Sequence, residues 1–72
     1  MKNETGMHLL WLLQCLYQQK LISNNEKQEI ANLIRLGMTS GDFSNLLPYL
    51  ESIENDENKH LISDMENIVR RN

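Results

Sequence analysis

The stretch MHLLWLLQCLYQQKL, residues 7–21, holds the chain's Trp, its Cys and its densest run of Leu, and every other segment has to be arranged around it. On a helix at about 100° per residue, Leu9, Leu10, Leu12, Leu13, Leu16 and Tyr17 fall in one arc of about 160°. That arc is wider than a helix needs to face one small core. His8, Trp11 and Cys15 follow at i, i+3 and i+7 and form a second stripe on the other side. A helix apolar nearly all round is usually buried all round, and a chain of 72 residues has few other elements to surround it. The expectation is that a second copy or a partner protein covers part of this helix, with Leu9, Trp11, Leu12, Cys15 and Leu16 near the seam. The alternative is that Trp11 packs on a neighbouring helix of the same chain. Large exposed apolar patches are uncommon on monomers, which favours the intermolecular reading.

The length leaves room for one domain, residues 1–72, and a domain so small is marginal alone. Chains of this size often add a disulfide, a metal or a second subunit. One cysteine excludes an internal disulfide. His8, Cys15 and His60 are too few and too scattered for a closed zinc site, which wants four ligands at tight spacing. Oligomerisation is the staple left, and a lone thiol fits a reducing cytoplasm. No His, Lys or Arg stands within a helical turn of Cys15 to lower its pKa, so it reads as structural.

Residues 1–5, MKNET, read as a frayed start, with Asn3 or Thr5 available to cap the first helix and Gly6 at its entrance. Ser23-Asn24-Asn25-Glu26 is a capping box. It opens a second helix, 24–36, with Ile30, Ala31, Leu33 and Ile34 on one face and Gly37 as its expected stop. Helix one, a polar turn and helix two make an antiparallel hairpin. The order L..LYQQKLIS..E....I, over roughly 12–34, resembles the short helical-hairpin segment known as SHOCT, with Gln19 or Lys20 where that pattern has a Gly. The resemblance implies a hairpin.

Thr39-Ser40-Gly41-Asp42 reads as a second N-terminal cap, leading into a helical region at 40–54 in which Phe43, Leu46, Leu47, Leu50 and Ile53 share a face. Pro48 forces a kink or a split near it. Asn55-Asp56-Glu57-Asn58 is a polar hinge that caps a last helix, 57–71. There Leu61, Ile62, Met65, Ile68 and Val69 form a stripe of about 120°, and Glu66 and Arg70 stand as an i, i+4 pair. The fold class expected is all-α: a small bundle of about four helical segments, an N-terminal antiparallel hairpin plus two further helices.

The chemistry sought in the sequence does not gather. Asp42, Glu51, Glu54, Asp56, Glu57, Asp64 and Glu66 read as solvated faces or hinge. Gly6, Gly37 and Gly41 are too scattered for a phosphate loop. Ser23, Ser40, Ser44 and Ser63 have no His nearby in sequence. The expectation is a non-enzymatic chain with no cofactor. The apolar run is too short to span a bilayer. The start carries both Lys2 and Glu4 with no small-residue cleavage site after the run, and Gln14 stands where a lipoprotein box before Cys15 wants a small residue. A membrane-surface helix would carry a basic polar face, and this one has Lys20 alone.

A net charge of −3 argues against nucleic acid and anionic membranes as partners. A helix-turn-helix DNA reader is the alternative function, with Gly37 in the turn, Met38 after it, and Phe43 and Leu46 in the core of the second helix. Against it, Leu33 fills a position that wants a small residue. The reading helix has no Lys or Arg, and the one basic cluster is Arg70-Arg71. The function expected is a small cytoplasmic protein-binding module, a regulator, inhibitor or adaptor, that acts on a protein partner or as a homodimer.

Overall fold

The computed structural model describes residues 2–71, with side chains from Glu4 to Arg71. It is all-α, with four helices: α1 (Lys2–Gln18), α2 (Asn24–Ser40), α3 (Leu46–Ile53) and α4 (Lys59–Arg71). Helix α1 packs on α2 and α4, and α3 packs on the same two, so α1 and α3 are diagonal and the helices close a ring. The core fills the ring. Leu9, Leu12, Leu13 and Leu16 of α1 meet Ile30 and Ile34 of α2, Leu46 and Leu50 of α3, and Ile62, Met65, Ile68 and Val69 of α4, with Ile22 and Phe43 from the connections.

The first helix begins and ends earlier than its apolar pattern suggests. It is helical from Lys2 and passes through Asn3 and Thr5, so neither residue caps it and 2–5 are not frayed. Met1, the remainder of the expected frayed start, lies outside the described residues. Gly6 is inside the helix, its bare face against Met38 of α2. At the other end the Leu21 amide donates to the Leu16 carbonyl at 3.0 Å and the Lys20 amide to the Tyr17 carbonyl at 3.0 Å. These two bonds make a Schellman stop, and Lys20 takes its left-handed position at φ 61°. Helix α2 follows from the expected capping box: Ser23 Oγ accepts from the Glu26 amide at 3.1 Å, and Glu26 Oε1 accepts from the Ser23 amide at 2.8 Å. Lys27 Nζ then sits 4.2 Å from the Tyr17 ring centre and ties the hairpin across its outer face.

Gly37 does not stop α2. The helix runs on to Ser40 and ends at Gly41, which is left-handed at φ 82° and donates its amide to the Gly37 carbonyl at 2.8 Å. Thr39–Asp42 is therefore the end of α2 rather than the start of α3. The region expected at 40–54 is split rather than kinked. A turn in which the Leu46 amide donates to the Phe43 carbonyl at 2.9 Å precedes α3, and Pro48 becomes the third residue of that helix. Amides in a first turn have no intrahelical acceptor, so the missing N–H costs nothing there.

The turn before α4 is held by Asn55 and Asn58. Asn55 Oδ1 accepts from the Asn58 amide at 2.9 Å, and Asn58 Oδ1 accepts from the Asn55 amide at 2.8 Å. This is the reciprocal logic of a capping box with Asn in place of Glu. Asn58 is also buried. Its Nδ2 donates to the Ile53 carbonyl at 3.1 Å and, across the bundle, to the Leu21 carbonyl at 3.4 Å. One side chain thereby joins the α1–α2 loop to the α3–α4 loop.

Candidate protein-binding face on the first helix

The five residues expected at a seam divide once the bundle is folded. Leu9 and Leu16 are fully buried and Leu12 is 5 % exposed, all three in the chain's own core. Their apolar area is used within the chain, because three further helices supply enough surface to cover it, and they are not available to a partner in this fold. Cys15 is half-buried. Trp11 is 63 % exposed, so it packs against no neighbouring helix in the way a core aromatic would. Met7, one turn before it, is 65 % exposed.

Met7 and Trp11 belong to a longer surface stripe. His8, Gln14 and Gln18 lie at the same i+3 and i+4 spacing and are also exposed. Sequence reasoning groups His8, Trp11 and Cys15 on this side and omits Met7 and the two glutamines. The recurrence every three or four residues from Trp11 is the pattern that identifies them.

Beside the stripe, α1 and α4 leave two shallow clefts. One, of about 290 Å³, is lined by His8, Trp11 and Leu12 of α1 and by Asp64, Asn67, Ile68 and Arg71 of α4. The other, of about 390 Å³, is lined by Glu4, Thr5, His8, Ile68 and Arg71. Arg71 is steadied by its Nε, which donates to the Asn67 carbonyl at 3.3 Å. Both clefts are mostly polar, with Ile68 the apolar side chain they share and charges of both signs around it. Among the described residues no group of His, Cys, Asp and Glu side chains is placed to hold a metal ion, and no helix is long and apolar enough to cross a membrane.

A second cluster departs from the sequence reading. Glu66, read as part of a solvated face, is 6 % exposed, because Ile62, Met65 and Val69 put it on the inner face of α4. Arg70 stands between two carboxylates, 3.9 Å from Glu66 Oε1 and 3.7 Å from Glu51 Oε2. In the ionised form Glu66 Oε2 has no donor among the described residues. Burial raises the Glu66 pKa above its ordinary 4.5; the Glu54 carboxylate beside it and then Glu51 push the same way, and Arg70 pulls back.

The folded protein thus holds this proton more tightly than the unfolded chain does. The resulting stability is present below the ordinary carboxylate range and is lost as pH rises through the raised pKa. Glu66→Gln is expected to stabilise the protein at neutral pH by about 1 kcal/mol and to flatten that decline, as measured by thermal melts from acid to neutral pH. The cluster opens onto neither α1–α4 cleft and reads as a stability element.

The helix-turn-helix reading also meets the geometry. Gly37 lies inside α2 rather than in a turn, and α3, LLPYLESI, carries no basic residue. No protein-family model matches the chain, and neither a curated protein nor a solved structure matches it significantly.

Proposed function

We propose that the chain is a small, non-enzymatic, cytoplasmic protein-binding module, a regulator, inhibitor or adaptor that engages its partner through the outer face of α1. The observation that carries this reading is the pairing of Met7 and Trp11, each more than 60 % exposed on adjacent turns of one helix. The domain has satisfied its core with the opposite face of the same helix. Trp11 stands outside the buried core, and an exposed Trp costs solubility, whereas Trp is among the commonest anchors at protein interfaces.

The test is a photo-crosslinking residue placed at Met7, Trp11 or Gln14, with an equivalent probe at Gln28 on the exposed side of α2 as control. Irradiation of the protein in the cells that make it is expected to give a discrete protein adduct from the three α1 positions and none from Gln28. Absence of any adduct from α1, or equal capture from Gln28, would remove the α1 face as a binding surface. Trp11→Ala is expected to weaken the captured association by about 2 kcal/mol and to leave helicity intact, read by titration and circular dichroism.

A further inference from the structure

We infer that Glu66 and Glu54 form a proton-operated latch between α4 and the end of α3: the Glu66 carboxyl, protonated on Oε2, donates to the Glu54 carboxylate, and loss of that proton releases the last turn of α3 from α4. The two residues stand in unlike surroundings. Glu54 follows the last residue of α3, in extended backbone at ψ 135°, and is exposed. Glu66 is buried on the inner face of α4 at 6 % exposure, with the Glu54 carboxylate within hydrogen-bond reach. Its two oxygens divide the site. Oε1 faces Arg70, and Oε2 is buried with no donor among the described residues. An ionised carboxylate can only accept, so a bare buried oxygen is the costly state. A protonated Oε2 is itself a donor and has an acceptor in Glu54. The proton stays on Glu66 because that is the carboxyl whose charge is removed from water.

Arg70 does not replace the proton. It is 3.9 Å from Glu66 Oε1, is shared with Glu51 at 3.7 Å, and its side chain is half exposed. Without the proton, the carboxylates of Glu51, Glu54 and Glu66 crowd one guanidinium. The other charged groups around α4 stand elsewhere. Lys59 pairs with Asp56, and His60 is exposed beside it. Asp64 and Arg71 line the clefts toward α1, and Glu4 and His8 are the α1 groups that meet α4 there. Helix α2 does not pack on α4. The part that yields is the last turn of α3. The buried anchors of that helix, Leu46 and Leu50, come before it, whereas Glu51, Ser52 and Glu54 are exposed and Ile53 is partly buried. Burial holds the Glu66 carboxyl above its ordinary range, so the latch is closed in acid and opens as pH rises through that raised value.

The experiment is nuclear magnetic resonance of the full chain from acid to mildly alkaline pH, reading the Glu66 carboxyl carbon together with amide exchange corrected for its intrinsic pH dependence. The Glu66 carboxyl is expected to titrate above the ordinary carboxylate range. The amides of Glu51, Ser52 and Ile53 are expected to lose protection by up to about tenfold per pH unit as pH approaches that midpoint, and to level off beyond it. Their exchange is expected to change little in low urea, since a local opening exposes little surface, while exchange of the Leu12, Leu13 and Leu16 amides rises with urea. Glu66→Gln keeps a donor toward Glu54 at every pH, so it is expected to remove the pH dependence at the three α3 amides. Glu54→Gln, a change at an exposed position, is expected to lower the Glu66 midpoint.

A Glu66 carboxyl that titrates in the ordinary range overturns the buried proton. A midpoint indifferent to Glu54→Gln overturns the pairing and leaves burial as the whole cause. Amides at the end of α3 that ignore the Glu66 titration overturn the latch, because the corner then does not move. Amides there that match the urea dependence of the α1 amides also overturn it, because the corner then opens only with the whole molecule. Should Glu66→Gln fail to fold, the wild-type titration and Glu54→Gln decide alone.

Discussion

Asn58→Asp is expected to lower stability by about 3 kcal/mol, seen as a fall in melting temperature of about 15 °C with the helical signal unchanged at low temperature. The native amide can be satisfied in one orientation. Oδ1 faces the Asn55 amide, and Nδ2 faces the carbonyls of Ile53 and Leu21. An Asp of the same shape keeps the first bond and turns an oxygen, with negative charge, toward two carbonyl oxygens in a buried site. Asn58→Ala removes the conflict but leaves the same two carbonyls and the Asn55 amide without this partner, at a cost of about 2 kcal/mol. The ordering Asp worse than Ala is the informative part, since loss of side-chain volume alone gives the reverse. If both variants melt within a degree of wild type, the side chain is not the link between the two loops.

Gly37→Ala is expected to cost about 2 kcal/mol, against the general rule that Ala in a helix interior is better than Gly by about 1 kcal/mol. A Cβ built at Gly37 falls 2.2 Å from Phe43 Cδ1 and 2.6 Å from Cε1. Phe43 is 2 % exposed and has no free side to which it can move. The check is a double-mutant cycle by urea denaturation. Phe43→Leu makes room, so its cost in the Gly37→Ala background should be smaller than in the wild type. Strict additivity would show that ring and glycine do not constrain each other.

Much of the fold is legible in the spacing of its apolar residues. Four helices, the hairpin and the Ser23–Glu26 box follow from local rules that need no tertiary information. The ends of α2 and α3 do not. Gly37 and Gly41 are equally good stops by propensity, and the choice is made by Phe43, which needs a bare helix face against it. Pro48 allows a kink or a split, and the split follows once α2 extends to Gly41, because α3 then begins late enough to hold the proline in its first turn.

Glu66 is readable from the same spacing, but its i, i+4 relation to Arg70 masks the fact that Ile62, Met65 and Val69 place it on the inner face. The candidate seam is half legible. The expectation that a short chain cannot cover so apolar a helix leaves out how much of α1 the other three helices cover together. It therefore assigns Leu9, Leu12 and Leu16 to a partner along with Trp11. The Asn55–Asn58 pair lies inside an acidic run and reads as a polar hinge that caps the last helix, which its reciprocal bonds bear out; what that local reading leaves out is that Asn58 is buried and reaches the Leu21 carbonyl across the bundle.

The order of the helices round the ring bears on how the chain reaches this state. Each helix but the last docks on its immediate successor, and the remaining interface, α1 on α4, joins the two ends of the sequence. Contacts between successive helices close short loops at small entropic cost, so the search for them is quick. The α1–α4 interface closes nearly the whole chain. It borders the clefts beside Trp11, so the edge of the proposed binding face is the part of the molecule whose formation depends on all the rest, and an intermediate lacking it would hold α1 against α2 alone, with the side that α4 covers left open beside the outer face.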